Sequence, residues 1–151
     1  MTSRALDLSR INLPIVPHLS RISETLDRGR ALVLSAEPGA GKSTIVPPYL
    51  MNAPWLKGQA IVMLEPRRLA AASVAARIAE LLGEPVGRRA GYRVRTAAQV
   101  SAETRIEVVT EALLTRRIQQ DPLLQGVGGH RRSLEGRGYR FKPLDTRRLP
   151  G

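Results

Sequence analysis

Apolar residues recur at intervals of three or four at Ile15, Leu19, Ile22 and Leu26. That spacing predicts an amphipathic helix over residues 15–28, with Gly29 as its stop. The pattern then changes to a short unbroken apolar run, Ala31-Leu32-Val33-Leu34-Ser35, as expected of a strand buried on both faces. A helix is expected from Lys42 to about Met51, but Pro47 and Pro48 fall inside it. Each removes a backbone donor, so a kink or early break is expected there. Gln59 to Glu65 is a second continuous apolar strand. Pro66 suits the first position of the next helix. That helix should run to Leu82, with Leu69, Val74, Ile78 and Leu81 on its core face and Gly83 and Pro85 as its stop. Gly91 to Arg95 reads as a short strand and Arg105 to Thr110 as a stronger one. Glu111 to Gln119 is a helix ended by Asp121-Pro122.

Strands and helices in that order form βαβ units, which implies an α/β fold with a parallel sheet and helices on its faces. After Gly126 the pattern fails: Gly126, Gly128, Gly129, Gly136 and Gly138 interrupt it, and irregular structure is expected from about residue 127. The 151 residues are enough for one domain with a real core. Charge sharpens the division. The chain carries +11, and residues 129–151 hold seven of its 24 basic residues but only two of its 13 acidic ones. Such a balance favours polyanionic partners, nucleic acid first, although an Arg- and Gly-rich end is also what a solvated tail looks like. With no cysteine and only two histidines, disulfides and a zinc site are not expected. No apolar run approaches the roughly 20 residues that cross a bilayer, and no signal-peptide pattern opens the chain, so a cytoplasmic protein is expected.

The most specific chemistry lies in Ala36-Glu37-Pro38-Gly39-Ala40-Gly41-Lys42-Ser43. A strand, a glycine-rich turn and a helix opening at Gly41-Lys42-Ser43 are the context of a phosphate-binding loop. Gly39 and Gly41 allow backbone angles that let a ligand approach closely. Successive N–H groups, including that of Ala40, then cradle anionic oxygens, and the helix N-terminus adds a favourable dipole. Lys42 places a charge on the outer phosphates, Ser43 offers its hydroxyl to Mg²⁺, and Thr44 supports Ser43 or the nucleotide from the next position. Ala36 stands where the strict pattern has its first glycine.

Two helix starts carry weaker signals. Arg67 and Arg68 lie in a first turn, where the helix dipole disfavours cations by about 0.3–1 kcal/mol each. A bound phosphate reverses that penalty; a solvated pair or a salt bridge to Glu65 explains the arginines equally well. Thr110 suits an N-cap and Glu111 the dipole, so that segment is accounted for as a helix start alone. Arg93 and Arg95 share one strand face beside Tyr92, which a solvated edge also explains. Arg116 and Arg117 sit in a last turn, where cations are favoured. Trp55 reads as a packing anchor rather than a platform for a base.

Together and in order, these pieces resemble a known family. Residues 36–44 resemble motif I of superfamily 2 helicases, and Pro66-Arg67-Arg68-Leu69-Ala70-Ala71 resembles motif Ia of their DEAH-box branch. Gly91-Tyr92-Arg93-Val94-Arg95 is similar to the branch's Gly-Tyr-x-Val-Arg element. Thr110-Glu111-Ala112-Leu113-Leu114 resembles motif Ib, with Ala112 where the family usually has glycine. Asn52 to Leu56, the Leu-Glu-Pro-Arg-Arg-Leu-Ala-Ala run and Leu82 to Gly87 resemble the bacterial HrpB type. The resemblance covers roughly residues 10–128. It implies an incomplete RecA-like domain over residues 1–128 and a basic tail, foreign to the family, over 129–151. It further implies ATP with Mg²⁺ on motif I, and single-stranded RNA or DNA held by Arg67, Arg68, Arg93 and Thr110.

The family's next element, a strand ending in Asp-Glu-x-His, is missing; no Asp-Glu pair occurs anywhere in the chain. The carboxylates that hold Mg²⁺ and position the attacking water are therefore not expected, and no catalytic residue is assigned. The expectation is a truncated helicase portion that binds ATP but neither hydrolyses it efficiently nor unwinds. The rival expectation is a non-enzymatic nucleic-acid-binding or regulatory module with a vestigial phosphate loop.

Overall fold

The computed structural model describes residues 5–29 and 32–122 and the backbone of Arg140–Phe141. The first predicted helix is present: a 3₁₀ turn at Val16–His18 leads into α1 (Leu19–Arg28), which buries Leu19 and Ile22, and the N–H of Gly29 closes it on Thr25. The prolines act differently from expectation. Residues 42–45 form turns and α2 (Val46–Leu50) begins after them, with the proline pair in its first turn. Pro47 and Pro48 have no N–H to give the carbonyls of Ser43 and Thr44, four residues back, so the regular helix starts late rather than breaking.

Strand β1 (Ile61–Leu64) and helix α3 (Arg68–Leu82) follow. Helix α3 starts two residues after Pro66. Its buried face is Ala71, Ala75, Ile78, Ala79 and Leu82, while Leu69 is 85 % exposed and Val74 and Leu81 are only partly buried. The expected face was drawn from the large residues. The helix instead uses its small ones, because alanine lets it lie close against the sheet. Gly83, at φ 68°, ends α3 with its N–H on Glu80 and that of Glu84 on Ala79. Strands β2 (Ala90–Val94), β3 (Ala97–Gln99) and β4 (Ile106–Val109), then α4 (Glu111–Gln120), complete the main body.

The sheet runs in the order β3-β2-β4-β1-β5, where β5 is Arg140–Phe141. Strands β2, β4, β1 and β5 are parallel and only the short β3 is antiparallel. The rest of the proposed tail lies outside the described residues. The predicted strand at 31–35 is not in the sheet: Leu32 onward carries no strand assignment, and Ala31 lies outside the described residues. Leu32 and Leu34 pack on the core while Val33 is 75 % exposed. A strand's N–H and C=O groups need a neighbour's, and this segment borders instead a cavity of about 490 Å³ shared with α1.

Alternation along the strands sorts the core into two layers. Ile61, Met63, Ala90, Val94, Ile106 and Val108 join α1, α2 and α3 in the main core. Val62, Val109 and Leu114, with Leu64 and Ile118 against them, form a small cluster under α4.

Candidate nucleotide and nucleic-acid site

The loop ahead of α2 has the backbone that its sequence calls for. Gly39 and Gly41 adopt φ values of 82° and 100°, which L side chains rarely take. A methyl on Gly41 would meet Ile15 Cγ2 and Ile45 Cγ1 at 2.9 Å, whereas nothing lies within 4 Å of one on Gly39. The loop is therefore packed beneath and open above. Ala40 anchors it: the residue is 3 % exposed, its N–H donates to Glu37 O and its carbonyl accepts from the N–H of Ile15, both at 3.2 Å. The N–H of Ile45 returns to Gly41 O at 2.9 Å and begins the helical turn.

Lys42 folds back over this loop. Its ammonium donates to Ala36 O and, at 3.5 Å, to Glu37 O. The charge is thus held at the mouth of the turn by carbonyls, where phosphate oxygens would compete for it. Ser43 and Thr44 are half-buried just behind it. These residues suit a nucleotide's phosphates: two left-handed glycines, an ammonium at the rim and a hydroxyl next to it.

The other candidates are set by the parallel register. Leu64 pairs with Val109 and Val109 with Arg93, so the carboxyl ends of β1, β4 and β2 lie on one rung. Arg67 and Arg68 follow β1, Thr110 follows β4, and Arg93 is on the rung itself. Arg105 donates to Met51 O and Gln59 O just before β4. That contact ties the C-terminal end of α2 to the sheet's amino edge.

Within this edge the residues differ. Arg67 and Arg68 are exposed. Arg67 is the N-cap of α3, in extended backbone, rather than a residue of its first turn. Burial raises the Glu65 carboxyl above its ordinary value, opposed by the charge of Arg67 and by an N–H bond from the same residue. Thr110 occupies the N-cap of α4 but makes no side-chain capping bond, and it is only 7 % exposed. Its side chain is packed in, which corrects the expectation of a hydroxyl cap. Arg95 lies exposed in the turn after β2. Trp55 is the expected packing anchor and donates through Nε1 to Ser23 Oγ at 2.9 Å.

One residue escaped the sequence reading. Glu107, in the middle of β4, is 4 % exposed. Its Oε1 accepts from Arg93 Nε at 3.0 Å and from Arg117 Nη2 at 2.5 Å. Arg117 is therefore part of a buried ion cluster and not simply a cation on a helix end. The available signal was a lone carboxylate inside the apolar run Ile106-Glu107-Val108-Val109, which requires a partner once buried.

Comparison with known proteins agrees with this geometry. No family model matches the chain. It is 48 % identical over 130 residues to the ATP-dependent RNA helicase HrpB of Escherichia coli, covering 82 % of the chain and 16 % of that protein. It is 39 % identical over 116 residues to the probable ATP-dependent RNA helicase DHX35 homolog of Caenorhabditis elegans, covering 76 % and 16 %. A crystal structure of the E. coli DEAH/RHA helicase HrpB superposes with a TM-score of 0.72 at 50 % identity, over 78 % of the chain and 15 % of that structure. The chain thus spans about a sixth of the length of these relatives.

Proposed function

Because the chain belongs to the DEAH-box family of helicases, we propose that it forms the ATP-binding part of such an enzyme, with a strand of RNA held along the carboxyl edge of the sheet. The observation that carries this reading is the loop of residues 36–43, where Gly39 and Gly41 take positive φ and Lys42 closes over the turn. In it, the N–H groups of residues 39–43 cradle phosphate oxygens, Lys42 exchanges the carbonyls of Ala36 and Glu37 for the outer phosphates, and Thr44 steadies the turn behind them. Ser43 supplies a hydroxyl for Mg²⁺, which when bound neutralises charge between the outer phosphates.

Arg67 and Arg68, exposed after β1, hold backbone phosphates, with Arg93 on β2 across β4 and the 7 % exposed edge of Thr110 at the start of α4 as further contacts. RNA rather than DNA is proposed because the relatives compared here are named RNA helicases. The chain contains no Asp-Glu pair, so these residues bind ATP and strand but do not activate a water.

The test is a titration of single-stranded oligoribonucleotide at several salt concentrations, with and without ATP. Binding should weaken linearly with the logarithm of salt. In an Arg67→Ala/Arg68→Ala variant the slope should shrink by about 1.4, since each lost phosphate contact removes roughly 0.7 on single strands. Salt-independent binding, or an unchanged slope in the variant, would reject the assignment.

A further inference from the structure

Arg93, Glu107 and Arg117 come from three different elements, β2, β4 and α4, yet meet at one carboxylate oxygen. Alternation places all of them on the face of the sheet that α4 covers, where among the described residues the apolar cluster is Val62, Val109 and Leu114 with Leu64 and Ile118 against them. The three differ in exposure. The side chain of Glu107 is 5 % exposed, that of Arg117 25 % and that of Arg93 42 %. A gradient therefore runs from a buried anion, through a half-buried cation, to a guanidinium at the surface. Arg93 is gripped by Nε, the nitrogen nearest its stem. Its two terminal nitrogens, the ends of the fork suited to phosphate, show no hydrogen bond to a described residue.

We infer that Glu107 is a positioning residue for nucleic-acid binding: it clamps Arg93 by Nε so that the exposed guanidinium is held in one orientation for a backbone phosphate. The inference rests on the strand-binding reading above. Arg117 supports the clamp from α4. It shares Oε1, and its Nη1 is buried without a hydrogen-bond partner among the described residues, so the guanidinium is held by Glu107 rather than spread over several acceptors. Without Glu107, Arg93 has a long, free side chain and loses rotamer entropy each time it meets a phosphate. With it, that ordering is complete before binding. The same contact fixes α4, whose N-cap is Thr110, to the strand that carries Arg93.

The test exploits opposing signs. Glu107→Gln keeps the shape but removes a negative charge from a chain that is already +11. Charge counting alone therefore predicts tighter RNA binding, whereas loss of the clamp predicts weaker binding. The measurement is oligoribonucleotide affinity over a salt series for the full 151-residue chain, with ATP affinity followed in parallel. Arg93→Ala should bind roughly threefold to tenfold more weakly, with a slope lower by about 0.7. Glu107→Gln should weaken binding by a comparable factor at unchanged ATP affinity and should add nothing in the Arg93→Ala background. If Glu107→Gln does not fold, Arg93→Lys takes its place. That variant keeps the net charge and the Glu107–Arg117 contact, but its single ammonium cannot hold Glu107 and a phosphate together, so weaker binding is again expected. Affinity equal to or above wild type in Glu107→Gln, an undiminished effect in the Arg93→Ala background, or unchanged affinity in Arg93→Lys overturns the clamp while leaving the strand-binding reading intact. A wild-type chain with no salt-sensitive RNA binding overturns that reading and the clamp with it.

Discussion

Under α1, α2 and α3 the sheet meets a continuous apolar layer from Ile15 through Leu50 and Ile78 to Val108. Under α4 it meets three buried apolar side chains and an ion cluster around Glu107. The first face has enough buried surface to hold the fold and to seat the phosphate loop, whose Gly41 rests on Ile15 and Ile45. The second has little apolar surface to spare and is held partly by charge. Charge is a poor source of net stability when buried, but it fixes orientation. On the reading proposed above, the thick face carries most of the stability and the phosphate loop, and the thin face a strand contact.

The sharpest way to break this contrast is to remove bulk from each side. Ile78→Ala on the thick face should cost about 2–5 kcal/mol of unfolding free energy, measured by urea denaturation. Leu114→Ala on the thin face should fall at or below the low end of that range, because Leu114 is 9 % exposed and has few buried neighbours. Equal losses would erase the distinction. Next comes the seam between the thick face and the loop. Gly41→Ala must hold φ 100° and force a methyl to 2.9 Å from Ile15 and Ile45, a strain of about 1–3 kcal/mol. It should both lower the melting temperature and weaken ATP binding. Gly39→Ala, with open space around it, should show the smaller melting shift of the two.

How far the sequence anticipated this depends on what each signal reports. The backbone of the loop was legible at Gly39 and Gly41, because a left-handed turn demands glycine. Strands β1, β2 and β4 and helices α1, α3 and α4 were legible from continuous or periodic apolar runs. The strand at 31–35 was not correct, since an apolar run reports burial and not whether a neighbouring strand is present. The core face of α3 was misplaced because Ala71, Ala75 and Ala79 carry little hydrophobic signal, although their smallness is what allows close packing. The clamp was invisible because Glu107, Arg93 and Arg117 are separated in sequence and joined only by the register of the sheet.

Two smaller effects refine the comparison. Trp55→Phe keeps the ring in the thick face but loses the bond to Ser23 Oγ, which should cost about 0.5–1.5 kcal/mol. Glu65, at the carboxyl edge, should give the smallest signal. Burial raises its pKa above the ordinary 4.5, so the folded chain holds this proton more tightly than the unfolded one. The contribution therefore favours folding below 4.5 and is lost as pH rises through the raised folded value. Melting temperature recorded across that window should fall less steeply in Glu65→Gln than in wild type. A steeper fall in the variant would mean that Arg67, not burial, sets the proton affinity.

Calorimetric titration of wild type and Lys42→Ala with ATP in the presence of Mg²⁺ bears most directly on the phosphate loop. A charge-assisted contact of about 1.5–3 kcal/mol implies roughly 10- to 100-fold weaker binding in the variant, with an unchanged melting temperature in the absence of nucleotide. Equal ATP affinity in the two proteins would contradict the assignment of residues 36–43 as the nucleotide's seat.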